Sequence, residues 1–169
     1  MLNNKFSDFI SYFRKIQEEH TELVYFVHGT AADVMGLSRS ELEYPCLWLE
    51  TPELKIQENQ AMEVTGSRSA AFMILWNAPE KSAEEVDLIW SKTEELALDV
   101  LSRMRKDRRE RKINFNLNGV TVDPISTLFI DNDYGWRVEF TLARHLDLCF
   151  RPEKWFGKLP PAPPVPQNP

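Results

Sequence analysis

Ala71-Phe72-Met73-Ile74-Leu75-Trp76 is a run of six apolar residues without polar alternation, stopped by Asn77-Ala78-Pro79. A strand with one wet face alternates polar and apolar residues, and a strand covered on both faces does not. The run therefore predicts a central strand packed on either side. Ser82 to about Lys106 follows as one long amphipathic helix. Val86, Ile89, Trp90, Leu96, Ala97, Val100, Leu101 and Met104 form its apolar stripe, and acids lead while bases trail, as the helix dipole favours. Downstream, Trp136, Val138, Phe140, Leu142, Leu146, Leu148 and Phe150 share one parity, and Arg137, Glu139, Thr141, His145 and Asp147 share the other. That period of two predicts a strand whose apolar face meets the long-helix stripe. Arg144 interrupts the apolar set, which suggests a bulge or the rim of the core.

Working outward, residues 5–19 predict a helix with Phe6, Phe9, Ile10, Phe13 and Ile16 on one face. Glu22 to Val27 predicts a buried strand ended by His28-Gly29-Thr30. Within the ambiguous stretch 31–43, Ser38-Arg39-Ser40-Glu41 fits a capping box and a short helical turn. Cys46-Leu47-Trp48-Leu49 predicts a short strand, and Pro52 breaks it. Leu54 and Ile56, then Met62 and Val64, alternate with polar residues, so a hairpin with one wet face and a turn near Glu58-Asn59 is expected. Gly66-Ser67-Arg68-Ser69 reads as a loop. Ile113, Phe115 and Leu117 lead through Asn118-Gly119 to Val120-Thr121-Val122, a strong hairpin signal, with Pro124 marking an edge or bulge. The expected fold is α+β: a mostly antiparallel sheet with an N-terminal helix and one long helix packed on one face. Residues 1–156 form one domain, and 157–169 form a flexible proline-rich tail in which six of the last ten residues are proline.

Composition bounds the function. The net charge of −6 argues against a whole-surface binder of nucleic acid or of anionic membrane. No apolar run approaches the ~18 residues of a membrane span, and Met1-Leu2-Asn3-Asn4-Lys5 lacks a signal-peptide layout, so a cytoplasmic protein is expected. Cys46 and Cys149 belong to no Cys-x-x-Cys pair; two reduced, packed thiols are the expectation. His20, His28 and His145 lack metal-ligand spacing, and Asp131-Asn132-Asp133 with Gly135 reads as a turn, not a calcium loop. Phosphate-loop, dinucleotide and nucleophile-elbow signatures are missing, so no catalytic residue, cofactor or metal is assigned and a non-enzyme is expected.

Two features suit partner binding. Arg103, Arg105, Lys106, Arg108, Arg109, Arg111 and Lys112 place seven bases in ten residues, interrupted by Asp107 and Glu110. The run reads as a solvated helix end, or as a docking surface for an acidic partner or phosphates. Trp155-Phe156 either caps the sheet edge or anchors the tail on a neighbouring subunit.

The order strand, acid-led long helix, hairpin, then Tyr134-Gly135-Trp136-Arg137-Val138-Glu139-Phe140-Thr141-Leu142, resembles small bacteriophage tail-terminator and tail-completion proteins over about residues 44–150. Tyr44-Pro45-Cys46-Leu47-Trp48-Leu49-Glu50 is a second anchor of the resemblance. It implies a structural protein of a phage or prophage tail that self-associates into a ring. Its partners would be a tail tube or head–tail connector proteins, met in the host cytoplasm or in the particle. A monomeric adaptor or nucleic-acid-binding module using segment 103–112 is the alternative.

Overall fold

The computed structural model describes residues 5–35, 42–61, 63–78, 82–126 and 133–155. The capping box at Ser38–Glu41, Met62, Asp131-Asn132, Phe156 and the tail 157–169 lie outside the described residues. The fold is α+β, in the order α1 (Phe6–Glu19), β1 (Tyr25–Gly29), α2 (Ala31–Met35), β2 (Cys46–Glu50), β3 (Glu53–Glu58), β4 (Val64–Asn77), α3 (Ala83–Arg109), β5 (Thr121–Ile125) and β6 (Asp133–His145).

Strand β4 organises the sheet. One of its edges pairs antiparallel with β6 from Thr65↔His145 to Asn77↔Asp133. The other edge is shared: β3 pairs with residues 64–69 and β2 with 72–75, both antiparallel. β1 adds to β2 in parallel and β5 adds to β6 antiparallel, giving the order β1-β2-β4-β6-β5. Every other pairing being antiparallel, the sheet is mostly so, as expected.

The apolar run of β4 is covered on both faces. Phe72 and Ile74 join Leu47 and Leu49 of β2, Val138, Phe140 and Leu142 of β6, Phe9 and Phe13 of α1, and Leu96, Val100 and Met104 of α3 in one cluster. The rings of Phe13, Phe72 and Phe140 lie 5.4 to 6.0 Å apart, spacing that adds aromatic pairing to area burial. Met73 and Leu75 point the other way, into a smaller cluster with Trp48, Ile125 and Val34 of α2. Gly135 sits where β6 crosses Leu75 in register; a Cβ there would lie 1.8 Å from the Ile74 carbonyl oxygen, so no side chain fits.

Several expectations fail, each for a local reason. Gly66-Ser67-Arg68-Ser69 is strand, not loop, because β3 and β6 pair with it from both sides. β3 is exposed along its whole length instead of half wet. β1 starts at Tyr25, not Glu22, and runs on through His28 and Gly29. α2 then begins in a capping box the sequence reading missed: Asp33 Oδ2 accepts from the Thr30 amide at 2.8 Å, and Thr30 Oγ1 accepts from the Asp33 amide at 3.3 Å. The Asn118-Gly119 turn forms, with Gly119 at φ +90° and Val120 N–H on the Leu117 carbonyl. It joins no hairpin, because Ile113 and Phe115 are drawn into the main cluster and Phe115 makes only a bridge to Leu142. β5 pairs instead with β6, at the sheet edge that Pro124 suits. β6 ends at His145, just past the start of β4. Leu148 and Phe150, expected in the core, are exposed. Cys149 is exposed rather than packed.

Phe140→Ala empties a fully buried aromatic site and is expected to cost about 3–5 kcal/mol in chemical denaturation. Gly135→Ala forces β4 and β6 apart and is expected to cost about 1–3 kcal/mol, measured the same way.

Candidate functional site

The basic segment is organised by one buried carboxylate. Asp107, 1% exposed on the core side of α3, accepts from the Tyr12 hydroxyl at 3.0 Å and from Arg103 Nε at 3.0 Å, with Lys112 Nζ at 3.4 Å. Arg103 also pairs with Glu19, so its guanidinium holds Asp107 on its own helix with one end and ties α3 to α1 with the other. Burial, and then the adjacent carboxylate, push the Tyr12 hydroxyl pKa well above its ordinary value, which keeps it a donor. Arg111 takes φ +58° just past the helix end. Its N–H reaches the Arg108 carbonyl at 2.9 Å and the Lys112 N–H reaches the Asp107 carbonyl at 2.8 Å, a Schellman closure with arginine where glycine is usual.

This arrangement sorts the seven bases. Arg103, Lys106 and Lys112 are held by Glu19, Asp107 and Glu110. Arg105, Arg108, Arg109 and Arg111 are exposed, and the structure gives them no ion-pair partner among the described residues. The two acids that interrupt the run in sequence thus do not neutralise these four arginines in space. Burial of Asp107 was invisible in sequence because its neighbours suggest a solvated helix end; its position in phase with Val100 and Met104 was the available signal.

A second surface lies at the far end of β3 and β6. Ile56, Val64, Leu146 and Leu148 line an open depression of about 400 Å³. Beyond it, Asp147 accepts from the Cys149 amide at 2.9 Å and turns the chain, and the Phe150 and Trp155 rings stack with centroids 6.3 Å apart and 23° between planes. Trp155 is 74% exposed and Phe150 is 62% exposed. The sequence points to Trp155 and to the half-wet hairpin that carries Ile56, but not to Leu148 and Phe150, which parity assigns to the core.

Other candidates are structural in character. His20 Nδ1 accepts from the amides of Glu22 and Leu23, and His28 and His145 lie on the surface. No group of three potential ligands that could hold a metal occurs among the described residues. Buried Asp133 accepts from Tyr44 and Asn77, and burial with the nearby Asp133 carboxylate pushes the Cys46 thiol up to about 12, so it is no nucleophile. No described helix is long and apolar enough to cross a membrane.

Asp107→Ala leaves Tyr12, Arg103 and Lys112 without their shared acceptor and is expected to cost about 2–3 kcal/mol, below the full range for a buried pair because two partners are solvated. Arg111→Gly relieves the left-handed strain and is expected to match or exceed wild-type stability in the same denaturation assay. A thiol reagent is expected to label Cys149 alone in the native protein, and both cysteines after unfolding. Compared with known proteins, the chain matches no family model, and no curated protein is significantly similar to it.

Proposed function

We propose that this protein is a structural component of a phage or prophage tail, resembling a tail terminator, that acts by self-association and by docking to a tail tube. The observation that carries the reading is the open edge of β3: all six residues, Glu53–Glu58, are exposed, and no described strand pairs with the outer side. Such an edge offers unpaired amides and carbonyls to a neighbouring chain. Leu54, Ile56 and Leu148 supply apolar side chains beside it, and exposed Phe150 and Trp155 follow in the chain, the composition that anchors interfaces. A β3 edge that pairs with a different surface of the next copy makes a heterologous contact, and a heterologous contact that closes makes a ring. The reading needs no cofactor and no catalytic group. It places the protein in the host cytoplasm or in the particle, beside tail-tube or head–tail connector proteins.

The four solvent-facing arginines at the end of α3 favour a second reading, a monomeric adaptor that binds nucleic acid through phosphates. The two are separable. Ile56→Asp with Trp155→Ala, both at exposed positions, is expected to leave the fold intact and reduce assembly, measured by light scattering over rising concentration with and without a tube protein. Deleting the hairpin tip, Glu58 to Gln60, is expected to act in the same direction. A wild-type chain that never assembles or binds a tube, yet binds oligonucleotides in a salt-dependent manner, would replace the first reading with the second.

A further inference from the structure

The outer face of α3 carries an ordered pattern that the core does not use. Glu84, Leu88, Ser91, Glu95, Leu98, Ser102, Arg105 and Arg109 follow one another at alternating steps of four and three, which keeps them on one side of the helix. All eight are exposed, opposite the buried set Ile89, Leu96, Val100 and Met104. Leu88 is 70% exposed and Leu98 50%, unusual burdens for the solvent face of a helix. Any helix face has such a row of positions; the content is what matters. The row begins acidic, ends basic, and holds leucines and small serines between.

We infer that this face pairs with the same face of a second copy, the two α3 helices running antiparallel across a two-fold axis at the level of Leu96 and Ala97. With that axis, Glu84 meets the second copy's Arg109, Leu88 meets Arg105, Ser91 meets Ser102 and Glu95 meets Leu98. Within the row no like charges are directly opposed, and the serines allow close approach. Asp87 flanks Leu88, within reach of the second copy's Arg105. Glu84, Asp87, Arg105 and Arg109 have no ion pair within the chain among the described residues, so each is free to form one across the axis. Glu95 is already held by Lys92 at 3.0 Å, which lowers the cost of setting it against a leucine. Parallel helices in register would place arginine on arginine and glutamate on glutamate, so charge selects the antiparallel arrangement. A two-fold contact closes at two copies, and the inference stands whether or not the tail reading does.

The test is sedimentation of the full chain over a concentration series at low and high salt. Glu84→Arg and Arg109→Glu are expected each to weaken dimerisation about tenfold or more, since the two-fold repeats each substitution at two contacts. An equimolar mixture of the two variants is expected to dimerise like wild type, because each then supplies what the other lacks; this rescue also shows that both variants fold. In a Cys149→Ser background, Ser91→Cys with Ser102→Cys is expected to give a disulfide-linked dimer on a non-reducing gel. A wild-type chain that stays monomeric up to about 0.2 mM would overturn the proposal, as would single variants that dimerise normally or a mixture that fails to recover. Loss of oligonucleotide binding in Arg109→Glu, with the oligomeric state unchanged in both variants, would assign the arginines to nucleic acid instead.

Discussion

The structure depends on the burial of β4 from both sides. A strand that is apolar on both faces cannot sit at a surface, so elements must be recruited to each of them. Phe72 and Ile74 take α1 and α3 as cover, while Met73 and Leu75 take Trp48, Ile125 and Val34. In the pairing with β6, Gly135 lets the backbone approach the Ile74 carbonyl more closely than any side chain would permit. Where β4 runs out at Val64, the order of β6 ends too. Leu146 N–H makes a last bond to the Val64 carbonyl at 2.8 Å, and the chain after it turns away.

Asp107 plays a comparable part for the helices. A carboxylate removed from water must be matched by donors, and Tyr12, Arg103 and Lys112 come from α1, α3 and the segment just after α3 to supply them. The same pairing decides the surface. By taking Arg103 and Lys112 inward, Asp107 leaves Arg105, Arg108, Arg109 and Arg111 as the outward charge of the helix end. A structural ion cluster therefore shapes the surface electrostatics of the helix end.

The exposed features share a physical logic. An open strand edge, a stacked Phe150–Trp155 pair and the leucine-bearing outer face of α3 all hold apolar or unpaired backbone groups in contact with water. Such surfaces gain free energy when another chain covers them. The proposed function draws on that surplus and on the resemblance in element order.

Much of this was determined by the sequence alone. Periodicity is a local property, so α1, α3, the β4 run and the apolar parity of Trp136 to Leu142 were legible from residue spacing. Pro124 on an edge strand follows from backbone chemistry that needs no partner. Only the tertiary structure decided which strand pairs with which. Residues 113–117 carry the alternation of a strand and 66–69 the composition of a loop. Burial of Ile113 and Phe115 cancelled the first, and paired neighbours on both sides overrode the second. The surfaces were less legible still. Exposure of Leu148 and Phe150 depends on where β4 ends, and the freedom of four arginines depends on a carboxylate buried by distant residues. Pairing and burial are set by contacts between segments far apart in the chain, and a local pattern contains no record of them.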